Sequence, residues 1–130
     1  TAPQVAICFE GCPADDTFTE DYAVQTAMKK GPMLRFMDVS MIANPRYMRD
    51  TFELAEKLSI PCQATVLAVG GNNGAYVNLT GRGVPVIVIG IPVRYIHSHY
   101  GIASYSDFEA AVDLAVAVVE HMTQEKLESF

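Results

Sequence analysis

The sequence contains no tryptophan, only three cysteines and few basic side chains. Nine Lys and Arg are scattered among fifteen Asp and Glu, so the formal net charge is −6. Nucleic-acid backbones are bound by clustered cations, so this scatter argues against a nucleic-acid partner. No apolar run approaches the roughly 18 residues that cross a membrane. The first residues also lack the basic region and cleavage site of a signal peptide, and we expect a soluble cytoplasmic protein.

The cysteines are Cys8, Cys12 and Cys62, and no two of them form a Cys-x-x-Cys pair. An odd number without such a pair argues against a disulfide framework. Cys8 lies in an apolar run and Cys62 follows a proline at the expected start of a strand. We therefore expect reduced, packed thiols.

Strand-like apolar runs alternate with helical patterns along the chain. Half of the 130 residues are hydrophobic, which suits one compact domain. The predicted strands span residues 5–10, 32–38, 62–69 and 84–92. Helices are predicted from residue 44, after the glycine-rich turn 70–74, and over 106–127. This order predicts an α/β fold, a three-layer sandwich in which helices cover a mostly parallel sheet.

Two of the predicted helices have recognisable start signals. Asn44 precedes Pro45, a pairing typical of an N-cap followed by the first helical position. Ser106 precedes Glu109 by three residues, which is the spacing of a capping box.

The stretch "IPVRYIHSHYG", residues 91–101, places an arginine, two tyrosines and two histidines after a buried strand. Ligands of open α/β sheets bind beyond the carboxyl ends of the strands, so His97 is a candidate site residue. The alternative is a packed or surface histidine. In an extended backbone His97 would face the cleft and Ile96 would pack behind it. A turn near Ser98 would carry His99 away.

Glu10 lies at the predicted end of the first strand. If that strand neighbours strand 84–92, Glu10 and His97 emerge from the same edge of the sheet. A carboxylate and an imidazole suit zinc or a similar divalent ion, although catalytic zinc takes three protein ligands and a water. Arg94 has two open roles, to anchor the strand end through a carboxylate or to bind a substrate carboxyl group.

Three segments together resemble a known family: "GPMLRFMDVSMIANPRYMRD", "GGNNGAYVNLTGRGVPVIVIGIPVRYIHSH" and the final helix. They resemble the last third of the glutamyl and deblocking aminopeptidases, the TET-type co-catalytic metallopeptidases. The resemblance covers nearly the whole chain, and its most specific part is the order of glycine pair, "GVP" strand and "RYIHS". It implies that residues 1–130 are one domain, the C-terminal part of a metallopeptidase catalytic domain.

The resemblance also implies roles for individual residues. His97 in "RYIHS" matches the C-terminal metal-ligand histidine of the family, and Glu10 stands where an acid ligates the other metal. Asp16 matches a recurrent acid, for which we expect a structural role. No catalytic base is expected in this chain, because the family's His-x-Asp motif, bridging Asp and Glu-Glu pair would lie upstream. The implied cofactors are two divalent ions, zinc or cobalt, the substrate is a peptide, and the assembly is a homo-oligomer, a dodecamer by family analogy.

The chain also departs from the family pattern. Asn72 and Asn73 follow the glycine pair where the family usually shows Gly-Thr-Asp. Asn73 thereby removes a negative charge beside the expected site, and Asn73 and Arg94 are possible substrate-site residues. Two alternatives to a peptidase part therefore stay open: a paralogue that has lost peptidase activity, and a non-catalytic α/β binding or assembly module.

Overall fold

A single mixed sheet organises the computed structural model, which describes residues 3–130. Its strands are β1 (Ala6–Pro13), β2 (Met33–Met37), β3 (Gln63–Val66), β4 (Val86–Arg94) and β5 (Ile102–Ala103). The helices are α1 (Pro45–Lys57), α2 (Gly74–Asn78), α3 (Tyr105–His121) and α4 (Gln124–Ser129), with a 3-10 turn at Asp21–Ala23. The strand order is β1-β4-β2-β3, and β5 pairs with the end of β4.

Strand β4 is the buried centre of the sheet. Its first five residues, Val86 to Gly90, are buried, as expected for a run of branched apolar side chains with both faces covered. It runs parallel to β1 along the whole of β1 and antiparallel to β2 and β5. The predicted α/β fold is confirmed, and the antiparallel pairings make the sheet mixed.

Helices pack on both faces of this sheet. On one face the ring of Phe52 in α1 stacks on Phe36 of β2, with the ring centroids 5.6 Å apart. On the other face α2 approaches so closely that a Cβ on Gly74 would lie 2.9 Å from Val86 and 3.3 Å from Cys8. Glycine at position 74 therefore allows the close contact between α2 and the sheet.

The two edges of the sheet differ. The edge of β3 is covered by Gln25, whose Oε1 accepts the Val66 N–H at 2.8 Å and whose Nε2 donates to the Val66 carbonyl at 3.2 Å. Within residues 3–130, β1 pairs with β4 alone, so its outer edge has no partner strand. Beside it, Phe9 and the α3 residues Val116 and Val119 expose apolar side chains.

Of the two predicted helix N-termini, that of α1 is confirmed and that of α3 is wrong. Asn44 caps α1 as predicted, because its Oδ1 accepts the N–H groups of Arg46 and Tyr47 at 2.9 and 3.1 Å. The prediction of a capping box at Ser106 is wrong. Helix α3 already starts at Tyr105 after Ser104, and the Ser106 hydroxyl bonds the Ser104 hydroxyl at 2.8 Å instead.

Several predicted boundaries also differ. Strand β1 continues three residues beyond Glu10, because its pairing with β4 extends to Pro13. Strand β3 is shorter than predicted and ends at an irregular register with β2, and β4 starts and ends two residues later than predicted. The predicted final helix is two helices, because Thr123 accepts the Lys126 N–H at 3.3 Å and starts α4.

The three cysteines are free, as predicted, but only Cys12 is completely buried. Burial raises the pKa of Cys12 and of Cys62 to about 11, so both are thiols at neutral pH. Among the residues described, no helix has the length and apolar character needed to cross a membrane.

Candidate metal centre

Glu10 and His97 line the same cleft, which has a volume of about 490 Å³. They meet there because β1 and β4 are parallel neighbours: Glu10 lies within β1 opposite Gly90, and His97 follows the end of β4 at Arg94. The rest of the wall comes from Ser40, from the loop before α2 and from α2 itself. Those wall residues are Gly71, Asn72, Asn73, Ala75, Tyr76 and Leu79.

One oxygen of Glu10 is held by the protein. Its Oε1 accepts the backbone N–H of Asn73 at 3.0 Å, and the Cys8 sulfur lies 3.9 Å from the same oxygen. The other oxygen, Oε2, has no hydrogen-bond partner within residues 3–130. The carboxylate is therefore oriented through one oxygen while the second is available to a ligand in the cleft.

His97 reaches the cleft through a tight turn. Strand β4 ends at Arg94, and Tyr95 and His97 both adopt positive φ, 57° and 61°, which is uncommon for residues with a Cβ. The Ser98 N–H donates to the Tyr95 carbonyl at 3.2 Å and closes the turn. The predicted extended backbone is wrong beyond Arg94, because the turn starts at Tyr95.

The neighbours of His97 separate as predicted. The half-buried Ile96 packs against β1, with its Cδ1 3.7 Å from the position of a Cβ on Gly11, next to Glu10. His99 lies outside the cleft, exposed, with its ring centroid 4.1 Å from that of Tyr100.

Arg94 lies away from the cleft and is already paired. Its Nε and Nη2 donate to the two carboxylate oxygens of Asp16 at 3.0 and 2.8 Å. Asp16 also accepts the Met28 N–H at 3.0 Å, and the hydrogen bond from Arg94 lowers the pKa of the Asp16 carboxyl group. Of the two roles considered for Arg94, this geometry corresponds to the anchor of the strand end, and the substrate role stays a prediction.

A buried polar network below the cleft was not predicted from the sequence. Its centre is Asp38, whose carboxylate accepts from Arg35 Nη1 at 3.0 Å and from Asn72 Nδ2 at 2.8 Å. It also accepts three hydrogen bonds from Ser40 and Met41. Burial would raise the pKa of Asp38, but these donors outweigh burial and hold the pKa well below its usual range. The available signal was an arginine inside an apolar strand with an acid three residues later.

The donors in the cleft suit part of a metal site. Carboxylate oxygen and imidazole nitrogen are ligand types that zinc accepts. No group of three or more His, Cys, Asp or Glu side chains that could hold an ion occurs in residues 3–130. Glu10 and His97 therefore fit the implied metals in kind, and further ligands would have to come from elsewhere.

The fold and this cleft are those of an α/β domain with part of a candidate metal site. The sequence profile described as M42 glutamyl aminopeptidase matches residues 1–114, and the chain belongs to that family. The resemblance stated from the sequence is thus confirmed.

Three relatives illustrate the extent of the similarity. A TET aminopeptidase structure from a marine sediment archaeon of the Thaumarchaeota superposes with a TM-score of 0.93 at 33% identity, over 98% of this chain and 36% of that chain. The glutamyl aminopeptidase of Lactococcus lactis is 30% identical over 125 residues, 96% of this chain and 34% of the relative.

The third relative is the TET1 peptidase of Pyrococcus horikoshii, with a TM-score of 0.73 and 26% identity. The superposition covers 93% of this chain and 34% of the TET1 chain. The TET1 peptidase is described as able to assemble into a tetrahedron or a large octahedral shell. The chain therefore spans about a third of the length of these relatives.

Proposed function

We propose that the chain is the C-terminal part of the catalytic domain of a dinuclear-metal aminopeptidase, which removes N-terminal residues from peptides. Membership of the M42 family supports the aminopeptidase class. The share of about a third of each relative supports a part of the enzyme rather than the whole. The observation that carries the proposal is that Glu10 and His97 line one cleft.

In this proposal each of the two residues holds one ion. When bound, two divalent ions, zinc or cobalt, polarise the scissile carbonyl and lower the pKa of a water. Glu10 would contribute Oε2, because the Asn73 N–H already holds Oε1. His97 would contribute its imidazole from the turn after β4. The proton acceptor for the water would be a carboxylate outside this chain.

The partners follow from the family by analogy. We propose a peptide substrate, a cytoplasmic location and a homo-oligomeric assembly, with a dodecamer as the expected form. The assembly of the TET1 peptidase supports the oligomer. Asn73 lines the cleft and is a possible contact for the substrate.

Replacing the two proposed ligands in the full-length enzyme tests this function. Glu10→Ala and His97→Ala should each lower metal content while leaving the fold intact, because the apolar core rather than the ion holds an α/β sheet of this size. His99→Ala is the matched control, since His99 lies outside the cleft. Metal analysis by mass spectrometry and circular dichroism give the two readouts. Unchanged occupancy of two ions in either variant would refute that ligand assignment.

The reading frame upstream of Thr1 separates this proposal from a binding or assembly module. A His-x-Asp motif and a Glu-Glu pair in that frame support the enzyme. A start codon directly before Thr1 supports the module.

A further inference from the structure

The N–H that holds Glu10 belongs to the loop before α2. Asn73 donates this N–H and directly precedes α2. The loop starts at Gly70, with φ of 75°, and Gly71 lies so close to Ser40 that a Cβ would be 2.8 Å from the Ser40 Oγ. The position of the Asn73 N–H therefore depends on how the loop is fixed against the end of β2, in addition to the close contact of Gly74 with the sheet.

Asn72 provides that attachment. Its side chain is buried, and its Nδ2 donates to Asp38 Oδ2 at 2.8 Å. Its backbone N–H lies 3.4 Å from the Ser40 Oγ, which itself donates to Asp38 Oδ1 at 2.6 Å. Both attachments of Asn72 thus lead to the carboxylate of Asp38.

The Asp38 carboxylate is itself rigidly held. Its side chain is fully buried and forms an ion pair with Arg35, whose side chain is 4% exposed. The second amino group of Arg35 lies 3.0 Å from the Cys12 sulfur on β1, two residues beyond Glu10 on the same strand face. A continuous set of contacts therefore joins β1, β2 and the loop around Glu10.

We propose that Asp38 and Asn72 are positioning residues for the metal centre: their hydrogen bond fixes the Asn73 N–H, which in turn orients Glu10 so that Oε2 faces the cleft. This inference rests on the proposed function, because it assigns to Glu10 the role of a ligand. Groups that orient metal ligands typically change metal affinity or activity by about 10- to 100-fold when removed. Asn72→Ala should therefore weaken binding of one ion by about that factor.

A matched pair of substitutions at position 73 isolates the N–H itself. Asn73 has φ of −66°, which is the value that proline imposes. Asn73→Pro removes the N–H, whereas Asn73→Ala removes the side chain and retains the N–H. We expect metal affinity to fall in Asn73→Pro, as in Asn72→Ala, and to stay close to that of the unmodified enzyme in Asn73→Ala.

The readout is the dissociation constant for Co²⁺ and the visible absorption spectrum of the bound ion, measured on the full-length enzyme. Thr80→Ala serves as control, because Thr80 lies after α2 and its side-chain hydroxyl donates to the Tyr76 carbonyl at 2.8 Å, away from the Asp38 network. Thermal unfolding of each metal-free variant confirms that it folds. Circular dichroism checks the same point.

The outcomes distinguish the two levels of the proposal. If Glu10→Ala retains both ions, the proposed function fails. If Glu10→Ala loses an ion but Asn72→Ala and Asn73→Pro bind Co²⁺ as tightly as Asn73→Ala, the positioning role alone is overturned. Weaker binding in Asn72→Ala and Asn73→Pro, with Thr80→Ala unchanged, supports it.

Discussion

Glu10 and His97 enter the cleft by different local structures. Glu10 does so through regular strand alternation, which places Cys8, Glu10 and Cys12 on one face of β1. His97 does so through a turn with two residues of positive φ, a conformation that costs roughly 1–3 kcal/mol at each such residue. The first placement is readable from sequence periodicity. The second is not, because nothing in "RYIHS" indicates a left-handed backbone.

At the residue scale, Gly31 should be among the positions least tolerant of substitution. Its φ is 85°, and a Cβ would lie 2.2 Å from the Pro61 carbonyl oxygen. Gly31→Ala adds this clash to the cost of the left-handed backbone, so we expect it to lower the free energy of unfolding by more than about 2 kcal/mol. Urea denaturation followed by circular dichroism measures the loss.

Gly81→Ala separates the steric clash at Gly31 from the cost of its left-handed backbone. Gly81 also has positive φ, 63°, but a Cβ there would meet nothing within 4 Å. Gly81→Ala should therefore lower the free energy of unfolding by only the roughly 1–2 kcal/mol of the left-handed backbone conformation. Equal losses in both variants would contradict a steric role for Pro61.

At the scale of elements, Asp38 joins the end of β2 to the loop before α2. The donors around it hold its pKa below that of an unfolded aspartate, roughly 3.9. Ionised Asp38 therefore stabilises the fold above that pH, and the contribution is lost as the pH falls below it. We expect the free energy of unfolding to decrease as the pH falls from about 5 through the unfolded value towards the lower folded pKa of Asp38, measured by urea denaturation at each pH.

Asp38→Asn should be less stable at neutral pH, by about 3–5 kcal/mol, because Arg35 then lacks its buried partner. It should also lose stability less steeply with acid than the unmodified chain. Asp113→Asn, at an exposed position of α3, is the control and should leave the steepness unchanged. An equally steep acid loss in Asp38→Asn would show that other carboxylates dominate.

The elements also show what the sequence could predict. The start of α1 was predictable because Asn44 and Pro45 act on their immediate neighbours. The start of α3 was not, because its first turn is fixed from a distance. Buried Asp107 accepts the N–H groups of Lys29 and Gly31 at 2.7 and 2.9 Å.

The same limit applies to the network below the cleft. Asp38 and Asn72 are 34 residues apart in the sequence, and their contact depends on how β2 and α2 pack. No local pattern encodes such a contact. The strand pairing that brings Glu10 and His97 to one cleft could be proposed in advance, because parallel neighbours share an edge.

At the scale of the whole molecule, residues 1–130 on their own should be inactive. Two ligands and no general base are too few for the proposed chemistry. The purified chain should therefore not hydrolyse amino-acid amides or short peptides, and it should bind zinc weakly. Chromogenic amide hydrolysis and zinc titration test both points. Turnover that survives further purification and disappears in His97→Ala would contradict the prediction.

The side chain of Gln25 has a consequence for how this sheet can be enlarged. Because the N–H and carbonyl of Val66 are both bonded to the Gln25 side chain, a further strand cannot pair with β3 at Val66. Within residues 3–130 the outer edge of β1 has no partner strand, so a further strand would add more readily there than at Val66. Glu10 is part of that edge strand, β1. The capacity of this sheet to accept a further strand thus differs between its two edges, and it is greater at the edge strand that carries the Glu10 carboxylate.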